Sequence, residues 1–194
     1  MTTPQPKPGW PPDGDPTPAG GEAQRWWAVG QFLLDCLCTR LADTVAGPVC
    51  VCSPIPGDQA IADYCGAGPG GVGQAWVRLA RVFMTRQFPQ PITTAPCPDG
   101  FWAADYELGV LRCAATLDDQ GQPPSPAALA WDAAMVADDA AAVMDTGQCC
   151  LPGGLPRIVG DWKPMQGGGC TGGTATVTVQ LVPGPIHGLK AAAQ

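Results

Sequence analysis

Ten cysteines, a single histidine and two serines bound the chemistry open to this chain. The cysteines are Cys36, Cys38, Cys50, Cys52, Cys65, Cys97, Cys113, Cys149, Cys150 and Cys170. Zinc sites prefer paired cysteines two to four residues apart. Cys36-x-Cys38 would put its thiols on different sides of a helix, and Cys50-x-Cys52 would put both on one face of a strand. Neither spacing fits, and the C-x-x-C pair of thiol redox catalysts is absent, so no metal and no thiol chemistry is expected. A hydrolytic triad fails on inventory: His187 lies in a Pro- and Gly-rich tail, and Ser125 is better placed as a helix cap than as a nucleophile, leaving Ser53. Gly66, Gly68 and Gly71 satisfy G-x-G-x-x-G, but Pro69 interrupts the loop and a strand follows where a phosphate-binding helix should start. Asp118-Asp119 and Asp138-Asp139 are adjacent acids of the kind that normally form solvated faces rather than general acids. The chain is therefore expected not to be an enzyme, with no catalytic residue, cofactor or metal.

Bulk properties narrow the class further. A length of 194 residues with 45% hydrophobic content suits one domain with a real core. The net charge of -7 and the scattered basic residues give no stripe that could neutralise phosphates, so sequence-specific nucleic-acid binding is not expected. No run reaches the 18 or so apolar residues of a membrane span, and the start lacks the apolar region of a secretory signal, so the chain reads as cytoplasmic when made. Reducing conditions there favour buried free thiols, although pairs could form after release into an oxidising medium.

The elements that would position these residues follow from periodicity. Residues 1–21, rich in Pro and Gly, read as a flexible arm; 22–183 read as one α+β domain, and 184–194 as a loose tail. From Glu22 to Ala46 the pattern is helical, with Trp27, Leu34, Leu37, Cys38, Leu41 and Val45 on one stripe, ending at Gly47-Pro48. Val29, Phe32, Leu33 and Cys36 fall on the far side, so that helix needs cover from two directions, one of them its own sheet and the other a loop or a neighbouring subunit. A short run at Val49–Ser53 and an irregular stretch through Gly73 precede two long strands, Gln74–Thr85 and Ala103–Cys113. A second helix starts at Ser125-Pro126 and ends at Gly147, with Leu129, Ala133, Val136, Ala140 and Val143 as its inner stripe and Asp132, Asp138, Asp139 and Asp145 solvated. A weak strand, Arg157–Pro164, a glycine-rich turn and a clear strand, Thr174–Val182, complete the chain. The order of helix, strands, helix, strands predicts one mostly antiparallel sheet with two main helices packed on it.

The stretch Gly160-Asp161-Trp162-Lys163-Pro164-Met165-Gln166-Gly167-Gly168-Gly169-Cys170-Thr171-Gly172-Gly173, leading into TATVTVQLV, resembles the closing hairpin of actinobacteriophage head-to-tail connection proteins. The Trp-rich first helix, Cys50-Val51-Cys52, Gly73-Gln74-Ala75-Trp76-Val77-Arg78, Phe88-Pro89 and Leu111-Arg112-Cys113 agree with it, so the likeness runs over about Arg25 to Val182. Within that set the element order resembles tail terminators best. The resemblance implies a homo-oligomer, a hexameric ring in the virion that caps the tail tube, stops tube polymerisation and offers a docking face to the head-to-tail connector or stopper protein, with DNA passing through. It carries no catalytic residue. Six copies would bring about -42 of charge to such a bore. Phe32, Arg81, Arg86 and Trp162 are the candidate subunit or partner contacts, since aromatic and Arg side chains are enriched at interfaces. A stopper or adaptor ring or a minor tail protein is the alternative of the same class; a cysteine-rich binding module held by disulfides or zinc is the alternative of another.

Overall fold

The computed structural model describes residues 18, 20–57, 73–93, 99–117, 119–167 and 169–181. Most of the expected arm and the whole expected tail lie outside them, as do Cys65, Gly66, Gly68, Gly71, Cys97, Asp118 and His187. The chain forms α1 (Gly21–Ala42), β1 (Val51–Pro54), β2 (Gln74–Gln87), β3 (Gln90–Pro91), β4 (Phe101–Cys113), α2 (Pro126–Asp145), a π turn (Thr146–Cys150), β5 (Arg157–Val159), β6 (Lys163–Gly167) and β7 (Cys170–Leu181). This is the predicted α+β order, with one mixed seven-stranded sheet and two helices.

The strand order is β1-β2-β4-β7-β5, with β3 added to β2 and β6 added to β7. Every pairing is antiparallel except the short parallel one between β1 and β2. Antiparallel neighbours β2, β4 and β7 supply the long central ladder, in which Val77 faces Leu108 and Tyr106 faces Val177. The residues on that side, Ala75, Val77, Ala104, Tyr106, Leu108, Val110, Ala175, Val177 and Val179, form the main core with the helices. Strand alternation in β2 breaks at a bulge between Leu79 and Arg81, so Val82 packs with the core on the side of Ala75 and Val77 instead of continuing from Trp76 and Arg78.

The helix faces are rotated from the expected ones. In α1 the buried residues are Val29, Leu33, Leu34, Leu37 and Leu41, while Val45 lies beyond the helix and is exposed. Val29 and Leu33, expected on the far side, are thus at the centre of the core. Each fully buried Leu or Val contributes about 1.5–3 kcal/mol, so this stripe alone anchors α1. The second cover of α1 comes from its own chain: the π turn packs on it, and Cys36 is disulfide-bonded to Cys150 at the end of that turn. In α2, Ser125 caps the helix by accepting a hydrogen bond from Ala128 N at 3.2 Å, with Pro126 at the first helical position, as predicted. Its buried stripe, however, is Met135, Asp139, Ala142 and Val143, whereas Leu129 and Ala133 are exposed. An Ala-rich helix has nearly the same hydropathy all round, so the Asp that meets a buried cation decides which side turns inward.

Glycine placement also differs from expectation. Gly147 does not end α2; the backbone continues into the π turn, and a Cβ there would come within 2.8 Å of Val177 Cγ2. The glycine-rich segment after Trp162 is mostly strand rather than turn: β6 and β7 form a hairpin from Gly167 and Cys170 outwards. Gly173 lets the Trp162 ring lie against the sheet, and Gly109 does the same for Trp76.

Candidate functional site

Several of the acids weighed for chemistry have structural partners among the described residues. Asp139, expected to be solvated, is 1% exposed and Arg112 is fully buried. Arg112 Nε donates to Asp139 Oδ2 at 2.7 Å and its terminal nitrogen donates to Oδ1 at 2.9 Å, a bidentate pair that ties β4 to α2. Thr44, just after α1, receives a 3.3 Å hydrogen bond from Arg112 and itself donates to Leu41 O. The other acids of α2 also have partners: Asp132 accepts from Ala115 N, Asp138 from Val45 N, and Asp145 pairs with Arg40. Asp119 is exposed.

The cysteines depart from the free-thiol expectation. Cys36 joins Cys150, Cys38 joins Cys52, and Cys170 is disulfide-bonded as well. Two residues apart on α1, Cys36 and Cys38 face different directions, which is why one reaches the π turn and the other reaches β1. Cys113 and Cys149 are thiols, and burial, with a smaller contribution from Cys50, pushes the Cys113 thiol up from its ordinary value. No group of three or more His, Cys, Asp or Glu side chains among the described residues could hold a metal ion.

An apolar pocket of about 440 Å³ opens where the first half of α1 diverges from the β1–β2 margin. Trp26, Trp27 and Gly30 form its helix wall, Pro54–Gly57 its outer wall, and Val77, Leu79 and Tyr106 its floor. Each wall has a local cause. The Tyr106 ring lies against Gly30, where a Cβ would be 3.4 Å from it, and Tyr106 Oη donates to Trp26 O at 2.8 Å. Burial pushes the Tyr106 phenol far up, so it stays neutral and acts as a donor. Trp26 packs edge-on against Trp102, with ring centroids 5.7 Å apart. Its indole N–H is buried and has no acceptor among the described residues. Sequence reading missed this pocket because Gly57, Leu79 and Tyr106 are far apart in the chain; the legible signal was the pair Trp26-Trp27 at the start of an amphipathic helix.

At the pocket rim and on the opposite side of the sheet, charged rows run across the strands. Arg78 makes a two-pronged contact with Glu107, at 2.8 Å on each oxygen, and also donates to Gly57 O at 2.9 Å. Burial pushes the Glu107 carboxyl up, but hydrogen bonds from Arg78 and Trp76 and the Arg78 charge outweigh it and leave the carboxyl below its usual value. Next to this row Asp105 accepts from Arg81 at 2.8 Å and from Thr178 at 2.8 Å.

The four predicted contact residues fall in different parts of the molecule. Phe32 and Trp162 are half-buried and pack against the main core. Arg81 is exposed, pairs with Asp105 and lies 4.4 Å over the Phe83 ring. Arg86 is exposed near the end of β2, where its Nε donates to Asp99 O at 2.9 Å. No protein-family model matches the chain, and no curated protein matches it.

Proposed function

We propose that the chain is a structural subunit of a bacteriophage head-to-tail joint, a tail terminator that assembles with copies of itself into a ring, hexameric by resemblance, capping the tail tube and meeting the connector. One observation carries this reading: the two margins of the sheet are open and unlike. On one margin β2 has no strand partner on its outer side between Val77 and Met84 among the described residues, and Leu79 and Arg81 are exposed there. On the other, β6 is exposed along its whole length, with Met165 at 42% and Ile158 of β5 at 44% exposure. Open edges of this kind pair with other chains unless covered. Two unlike edges on one subunit favour a head-to-tail contact, and a repeated head-to-tail contact with a closing rotation makes a ring. Arg81 stands on one of these margins. Trp162, packed just before β6, stiffens the other.

The native mass of the wild type and of Leu79→Glu and Met165→Glu tests this. Both sites are exposed, so the subunit keeps its fold, and the expected result is a ring for the wild type and monomers for both variants. Identical masses for all three proteins contradict an edge-built ring.

A second reading has a specific observation behind it. Disulfides that tie α1 to both the π turn and β1 suit a small binding module of an oxidising compartment, with the Trp-lined pocket as its site. The zinc form of that reading draws no support from the described residues. Thiol counting on protein taken directly from reducing cytoplasm separates the two: a cytoplasmically assembled subunit folds with its thiols reduced, whereas the module needs the bonds to fold.

A further inference from the structure

We propose that the Cys36–Cys150 disulfide is an exchange site for a low-molecular-mass aliphatic thiol, which attaches at Cys36 and releases Cys150 as a thiolate beside Arg40. Two observations carry it. First, the bond lies near the surface: Cys36 and Cys150 are half-buried, and Asp35, Thr39, Gln148 and the thiol Cys149 beside them in the chain are exposed. The Cys38–Cys52 bond, by contrast, packs against the main core. Second, the two sulfurs of the outer bond have unlike surroundings. Arg40, one turn after Cys36 on α1, points its Nε at the Cys150 sulfur at 3.4 Å, while its terminal nitrogen is held by Asp145 Oδ2 at 2.8 Å. A neighbouring guanidinium stabilises a thiolate, and a disulfide breaks faster towards the sulfur that makes the better leaving thiolate. Cys150 is therefore the sulfur that leaves and Cys36 the sulfur attacked. In the step the small thiol gives its proton to water and its sulfur bonds to Cys36 Sγ. The Cys36–Cys150 bond breaks as that bond forms, and its electron pair departs on Cys150 Sγ. The incoming sulfur is oxidised and Cys150 is reduced, so no further oxidant or reductant enters. The exchange unties the π turn from α1 and leaves α1 bonded to β1. It holds whether or not the chain forms a ring.

The test treats the oxidised full chain with 2-mercaptoethanol, an uncharged thiol that Arg40 does not attract as an anion. The reaction is stopped with N-ethylmaleimide at timed intervals, and unreduced peptides are mapped by tandem mass spectrometry. The first product expected carries mercaptoethanol on Cys36 and maleimide on Cys150, with Cys38–Cys52 still closed as the sign that the fold is kept. Its rate of formation is expected to fall about threefold in Arg40→Gln and to recover in part in Arg40→Lys, which keeps a cation there. Mercaptoethanol on Cys150 or Cys149 in place of Cys36, no adduct on Cys36 at any time, or Cys38–Cys52 opening first would each overturn the proposal. Equal rates in all three proteins would overturn it too.

Discussion

Arg112 and Asp139 show how one residue pair can set the inward side of a helix. With Arg112 fully buried and Asp139 at 1% exposure, either charge left alone would be stranded in the core. Asp139→Ala is expected to destabilise the fold by about 3–5 kcal/mol in urea unfolding, whereas the double change Arg112→Met/Asp139→Leu recovers most of that loss. Equal destabilisation by the single and double variants would contradict the pairing as the reason. Periodicity could not find Asp139, because Asp138-Asp139 reads as one acidic patch until the partner strand is known. Glu107 makes a pH prediction. Its folded carboxyl titrates below the ordinary 4.5, so the unfolded chain binds the proton more readily near that pH. The stabilisation is present above the unfolded value and is lost as pH falls through the folded one. Glu107→Gln is therefore expected to flatten the acid limb of stability against pH below about 4.5, measured by chemical unfolding at stepped pH. Among the thiols, exposed Cys149 is expected to be alkylated well before Cys113, whose thiol burial holds protonated; mass spectrometry of a timed iodoacetamide reaction reads the order.

At the scale of elements, the long strands, the Ser125 cap and the order of helices and strands were legible because each rests on a local signal: alternation, a capping side chain, a proline at the first helical turn. The cap gives its own prediction. Ser125→Ala is expected to cost about 1 kcal/mol, read as a shift in the urea midpoint with an unchanged slope. What was not legible depends on partners distant in sequence. The bulge after Leu79 reverses which residues of β2 face the helices, and nothing in the alternation of that strand announces it. The run of glycines before Thr174 reads as a turn, yet Gly172 and Gly173 are strand residues that let β4 and Trp162 approach closely. Gly109→Ala puts a methyl group into the Trp76 ring and is expected to destabilise by about 1–3 kcal/mol, because neither strand nor indole has room to retreat. The pocket was out of reach for the same reason, as its walls come from α1, β1, β2 and β4.

For the whole molecule, the disulfides, the open margins and the acidic balance bear on one question, how copies of this chain meet. Cys38–Cys52 closes a short span and Cys36–Cys150 one of 114 residues, and loop closure assigns them about 3 and 4–5 kcal/mol when oxidised. Cys38–Cys52 anchors β1, which pairs with β2 just before its open stretch, and Cys36–Cys150 anchors the π turn beside β5, so reduction is expected to make the subunit melt earlier. The most direct test of the terminator account is to polymerise the tail tube protein of the same genome with and without this chain, and to measure tube length and the position of the added protein by electron microscopy. The account predicts shortened tubes that stop growing, each with a ring of this chain at one end. Tubes of unchanged length, with the chain left in the supernatant, would contradict it.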